Sequence, residues 1–195
     1  MALARRASDP VTATPPARPL GAGAGRHAAV DVYYPAEGGA VAALVLAADR
    51  GFAEVTAEVV TRVAEVAAYR PGAFYLRELP PMLAVLAEAG PVDLLVVDGY
   101  VHLDAAGRQG LGAHAHAELG IPVIGVAKHP FRGADHAVEV RRGGSDRPLY
   151  VTAAGLAPSD AARLVAAMAG PFRLPDALRR VDALSRGAVS RDRQP

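Results

Sequence analysis

Two aspartates stand where apolar strands would run. Asp31 interrupts Ala28-Ala-Val-Asp-Val-Tyr-Tyr34, and Asp98 closes Asp93-Leu-Leu-Val-Val-Asp98. An ionised carboxylate among apolar neighbours costs several kcal/mol unless it is paired or bound to a metal. If the two segments are neighbouring strands, both carboxylates meet at one sheet edge. A divalent cation relieves the repulsion between them. Each acid also has a plainer reading: Asp98 as a loop cap, Asp31 as an outward-facing residue on an edge strand. Glu78, in Tyr75-Leu-Arg-Glu-Leu-Pro80, reads by itself as a first-turn helix acid favoured by the helix dipole. Lys128 follows Pro122-Val-Ile-Gly-Val-Ala127, which puts a cation at a strand's carboxyl end, where α/β proteins bind ligands. It could equally be a solvated lysine, although it is the one lysine among 21 basic side chains.

Several chemistries are excluded. With no cysteine there is no disulfide and no thiolate metal site, so any metal rests on Asp, Glu or His, which favours Mg²⁺ or Mn²⁺. The histidines offer no H-E-x-x-H, and His114 and His116, two apart, do not share a helix face. There is no G-x-S-x-G, no P-loop, and no dinucleotide glycine pattern. The net charge of +1 neither demands nor excludes nucleic acid. The longest apolar run, Ala40 to Ala48, is too short for a bilayer, and no secretion signal opens the chain. These features predict a cytoplasmic protein with no membrane partner, more readily a monomer than an oligomer.

The elements that must position these residues follow from hydrophobic period. Residues 1–26, rich in Arg, Ala, Pro and Gly, predict a disordered leader rather than a transit peptide. A folded domain is expected over 27–187, with a frayed tail over 188–195. Strands are expected at Ala28–Tyr34, Val41–Ala48 and Phe52–Val66, joined by short turns into a three-stranded antiparallel start. Leu76, Leu79, Leu83 and Leu86 have helical spacing, and Pro80 and Pro81 fit best in a first turn, so the helix should begin near Leu79. Then come a buried strand to Asp98, a helix over Gln109–Leu119 and a strand over Pro122–Ala127, forming a βαβ crossover. An irregular excursion over 129–147, a short strand over Ala137–Val140, a strand over Leu149–Thr152 and helices over Ser159–Met168 and Pro175–Arg186 complete the chain. This mixed α/β pattern suits a ribonuclease H-like sheet flanked by helices better than a doubly wound dinucleotide fold.

Specific segments carry a resemblance. Tyr69-Arg-Pro-Gly-Ala-Phe-Tyr-Leu-Arg-Glu78 resembles the endonuclease V signature, in which a Tyr-x-Pro-Gly loop precedes an Arg-Glu pair. Val97-Asp-Gly99, Val30-Asp-Val-Tyr33 and Ile121-Pro-Val-Ile-Gly-Val-Ala-Lys128 are similar to further blocks of that family. So is Phe172-Arg-Leu-Pro175, with Arg179 and Asp182 after it.

The resemblance implies a metal-dependent endonuclease that hydrolyses a phosphodiester near deaminated purines, inosine above all, in DNA or RNA. It makes Asp31, Glu78 and Asp98 the Mg²⁺ ligands and places Lys128 beside the phosphate. Tyr69, Arg70, Pro71 and Gly72 become a wedge that holds the strands open. Gly72, Gly99 and Leu111 become parts of a pocket for the flipped base. The chain departs from the family in four places, two of them being Arg70, where the wedge usually has an apolar residue, and a leader without helical pattern in place of the family's N-terminal helix. A family Gly-His pair, whose His orients metal-bound water, is Gly155-Leu156 here. Tyr100-Val-His-Leu-Asp-Ala-Ala-Gly-Arg108 keeps Arg108 of a His-Pro-Arg segment, with His102 as a partial substitute. These departures leave two other expectations open: an altered or non-catalytic nucleic-acid binder, or a metal-dependent enzyme on a small nucleotide-like substrate.

Overall fold

The computed structural model describes residues 25–70 and 72–191, with side chains through 188. The leader up to residue 24, Pro71 and the last four residues therefore lie outside the described residues. Arg26 already belongs to the folded body: its backbone N–H donates to Asp93 Oδ2 at 2.9 Å and its Nε to the Pro91 carbonyl at 3.0 Å.

Seven strands form one mixed sheet. In chain order they are β1 (His27–Tyr33), β2 (Ala40–Ala47), β3 (Val55–Val63), β4 (Leu94–Asp98), β5 (Val123–Ala127), β6 (Val138–Val140) and β7 (Leu149–Ala154). Their order across the sheet is β3-β2-β1-β4-β5-β7-β6. The β1, β2 and β3 strands pair antiparallel as their tight turns require. β4 then lies parallel to β1, and β5 parallel to β4. The excursion after β5 returns the chain so that β7 runs antiparallel to β5, with β6 outside it.

Successive side chains of a strand point to opposite faces, and both faces here are covered. Ala29, Val45, Val96, Ile124 and Val126 face α3 (Pro158–Ala167) and α4 (Asp176–Arg191), meeting Ala161, Val165, Leu178 and Val181. Ala28, Val30, Leu44, Leu95 and Val97 face α1 (Tyr75–Ala89) and α2 (Leu111–Leu119), meeting Met82, Val85 and Leu86. The result is a helix–sheet–helix sandwich with one core on each side of the sheet.

Four expectations need correction. First, α1 begins at Tyr75 rather than Leu79, and both prolines lie inside it. Its first turn closes by shorter bonds, from the Leu76 N–H to the Ala73 carbonyl and from the Arg77 N–H to the Phe74 carbonyl. Lacking N–H groups, Pro80 and Pro81 leave two carbonyls without α-helical donors. Burial of Met82, Val85 and Leu86 holds the helix despite that. Second, β3 is confined to Val55–Val63, because Asp49 binds the Ala53 and Glu54 N–H groups in a turn that keeps residue 52 out of the strand. Third, α4 runs to Arg191 rather than ending at Arg186. Fourth, β1 is a central strand, so Asp31 is not an edge-strand residue.

Candidate active site

Asp31 and Asp98 come together through register. Val30 pairs with Val97 across β1 and β4, so the next residue of each strand is an aspartate, and both point to the α4 side. β4 ends at Asp98 while β1 continues to Tyr33, which opens the carboxyl edge of the sheet beside them. Glu78 reaches this edge from the first turn of α1 on the other face. Asp31, Glu78, Asp98 and Leu111 line one small cleft floored by Met82 and Val97. Its free space is about 10 Å³, room for a single water-sized particle.

The electrostatics are those of carboxylates held in partial burial. Glu78 is pushed up to about 8, first by burial and then by Asp31 and Asp98. Burial also raises Asp31; Asp98 and Asp182 add to the rise, while a hydrogen bond from Ser185 and the charge of Lys128 oppose it. Lys128 leaves β5 and donates from Nζ to Asp98 Oδ2 at 2.5 Å. Its backbone is fixed from behind, since Arg173 Nη2 donates to the Lys128 carbonyl at 2.5 Å and to the Pro148 carbonyl at 2.7 Å. Hard oxygen donors of net negative charge in a one-particle cleft fit a divalent cation. The side chains as they stand do not close around one: among the described residues no three acids or histidines are grouped tightly enough to hold a metal.

Of the other predicted residues, Leu111 lines the cleft, and Tyr69, Arg70 and Gly72 precede α1. Tyr69 is 60% exposed and meets Phe74, 43% exposed, edge to face at 6.0 Å. Arg70 is exposed beside them, and Gly72 turns the chain with φ +76° into α1. Gly99 follows Asp98 with φ +140° and open space where a side chain would lie. Gly155 is a different case. Ala154 pairs with Val123 at the start of β5, so Gly155 and Leu156 lie at the sheet edge opposite the acids. The length of β5, roughly 13 Å from its first residue to its last, separates the two edges. The absent family histidine therefore removes nothing from this cleft. His102 bridges to Gln109 in the small hairpin between β4 and α2.

Sequence reasoning missed the contribution of α4. Ser185 donates to Asp31 Oδ2 at 3.0 Å, and Asp182, one turn earlier, is close enough to raise Asp31. Their three-residue spacing was visible, but nothing in the sequence said that α4 packs on β1. Tyr34 was missed too: the Arg77 guanidinium lies 4.1 Å over its ring, and burial followed by the charge of Glu78 raises its hydroxyl.

A mixed sheet of this order, with acids on its central strands and helices on both faces, defines a ribonuclease H-like fold of the nuclease kind. Comparison with known proteins agrees. The endonuclease V family model matches residues 22–156. Endonuclease V of Streptomyces coelicolor is 35% identical over 191 residues, covering 86% of this chain and 80% of its own. The crystal structure of the Streptomyces avermitilis endonuclease V superposes with TM-score 0.72 at 30% identity, covering 93% of this chain and 86% of that one. The Ciona intestinalis endonuclease V, solved with a 24mer DNA containing an inosine followed by a ribo-adenosine, shares the fold, with TM-score 0.70 at 18% identity over 86% of this chain and 87% of that one. The chain belongs to the endonuclease V family of metal-dependent nucleases, which hydrolyse phosphodiester bonds.

Proposed function

We propose that this protein is an inosine-directed repair or processing endonuclease whose site is the cleft of Asp31, Glu78 and Asp98. The observation that carries the reading is the register pair Asp31 and Asp98, joined from the opposite face by Glu78 at the open sheet edge. These three carboxylates would hold Mg²⁺, and Mn²⁺ suits the same donors. When bound, the ion supplies Lewis-acid charge at the scissile phosphate. Glu78, whose carboxyl burial pushes up to about 8, would have to release a proton for a cation to bind. Lys128 keeps a positive charge at the same edge for the phosphate oxygens.

The surface beside the cleft suits a distorted nucleic acid. Tyr69, Arg70, Pro71 and Gly72 act as the wedge, supported by the exposed Tyr69–Phe74 pair. Gly99, which leaves open space, and Leu111, on the cleft wall, make room for a base that has left the stack. The substrate class, an inosine-containing strand, comes from the family and from the DNA held by the Ciona relative. No helix among the described residues is long and apolar enough to cross a membrane. Cytoplasmic action as a monomer completes the proposal.

The test is cleavage of inosine-containing and matched inosine-free oligonucleotides, single- and double-stranded, DNA and RNA, with Mg²⁺, Mn²⁺ or EDTA. Metal-dependent cutting beside inosine, lost in Asp98→Ala, is expected. A folded Asp98→Ala protein that still cuts would overturn the assignment of the acids. Equal cutting with and without inosine would overturn the substrate.

A further inference from the structure

We propose that Ser185 is a positioning residue for the reaction: its hydroxyl holds one oxygen of Asp31 and leaves the other for the divalent cation. The inference rests on the reading of Asp31 as a cation ligand.

Ser185 is fully buried on the face of α4 that packs against β1. Its Oγ lies 3.0 Å from Asp31 Oδ2 and 3.0 Å from the Asp182 carbonyl. A hydroxyl has one proton, so it donates to one of these acceptors at a time. Serine within a helix ordinarily gives that proton to a carbonyl one turn back, which needs no partner outside the helix. Here a carboxylate competes. A charged acceptor forms the stronger bond, so the proton goes to Asp31.

The bond matters because Asp31 is pulled in several directions. Asp98 and Asp182 repel it, and Lys128 attracts it. The terminal torsion of an aspartate is broad, so the carboxylate would turn under those forces if nothing held it. Ser185 fixes Oδ2 from the helix side, opposite the face from which Glu78 enters the cleft. The helix itself is pinned at this point. Arg186 donates from Nε to Asp182 Oδ1 at 3.0 Å and lies 4.8 Å over the ring of Tyr33, two residues beyond Asp31. The Arg186–Tyr33 contact, beside the Ser185–Asp31 bond, ties α4 to β1 here, while the Arg186–Asp182 bond lies within the helix.

Ser185→Ala, Ser185→Thr and Asp31→Asn decide the matter, with thermal melts to show that each is folded. Mn²⁺ binding is titrated calorimetrically without nucleic acid, and KM and kcat for an inosine oligonucleotide are measured against Mg²⁺ concentration. Loss of one hydrogen bond to a charged group predicts about tenfold weaker Mn²⁺ binding and a Mg²⁺ requirement raised about tenfold in Ser185→Ala. The KM for oligonucleotide should stay within about twofold, because Ser185 is buried away from any strand, and Ser185→Thr should recover most of the Mn²⁺ affinity. Folded Ser185→Ala that binds Mn²⁺ as wild type does would sink the inference, and so would Ser185→Thr failing as badly as Ser185→Ala. Should Ser185→Ala not fold, Ser185→Cys replaces it under the same criteria. Asp31→Asn separates the two levels. If it binds Mn²⁺ normally, Asp31 is not a ligand and the site reading fails. If it loses Mn²⁺ while Ser185→Ala keeps it, only the role of Ser185 fails.

Discussion

Glu78 is the residue on which burial and function pull against each other. Its carboxyl is pushed up to about 8 from an ordinary 4.5 by burial, with Asp31 and Asp98 adding to the rise. Between those two values the folded protein holds a proton that the unfolded chain has released. Stability therefore falls as pH rises through that window and is lowest above it. Glu78→Gln removes the cost by removing the charge. In EDTA, its melting temperature should exceed wild type by roughly 3 °C or more above pH 8, what about 1 kcal/mol does in a chain of this size, and match it near pH 4.5. The same variant should lose cleavage. A melting difference that does not change with pH would mean that Glu78 is not strained by its surroundings.

At the scale of elements, the edge is shaped by close backbone approach. Gly125 in β5 faces the segment that leaves β4: an added Cβ would meet the Gly99 carbonyl oxygen at 2.6 Å and the Val101 nitrogen at 2.8 Å. That segment is tied down, since the Val101 N–H donates to Thr152 Oγ1 at 2.8 Å. Gly125→Ala must therefore push the 99–101 backbone off the sheet. The expected cost is roughly 1–3 kcal/mol by denaturant melting, with cleavage falling more than stability because Asp98 is the next residue along. An unchanged melt would show that the segment yields freely. The helices divide the labour. α1 brings Glu78 over one face, and α4 brings Ser185 and Asp182 up to Asp31 on the other.

Over the whole molecule, the near-neutral charge hides a local arrangement. Acids gather in the cleft, Lys128 is bonded to Asp98 at the same sheet edge, and Arg70 is exposed on the loop before α1. Binding of a strand should thus combine phosphate contacts with a base pocket. Asp98→Ala, unable to cut, should bind inosine oligonucleotides with an affinity that falls as salt rises. Neutralising Z phosphates gives a slope near −0.9Z in duplex DNA and about −0.7Z in single strands. A preference for inosine that survives high salt would locate specificity in the pocket, whereas binding with no salt dependence would argue against phosphate contacts altogether.

The sequence by itself determined much of this protein. Apolar runs and turn residues set the antiparallel start, the buried β4 and β5 strands and the crossover helix, because period and turn chemistry are local properties. Asp31 and Asp98 were conspicuous because a charge amid apolar neighbours is costly wherever the chain goes. What the local pattern could not supply was assembly. The register of β1 on β4 that pairs the aspartates is a long-range choice, as is the antiparallel return of β7. That return moved Gly155 away from the acids and voided the argument built on its missing histidine neighbour. The prolines of α1 misled for a related reason: their local preference is for a helix start, and burial of the following turns overrode it. Ser185 and Asp182 joined the site through the docking of α4 on the sheet, a contact between residues more than 150 positions apart for Asp31 and Ser185. Only tertiary packing, which buries one face of α4 against β1, decides that.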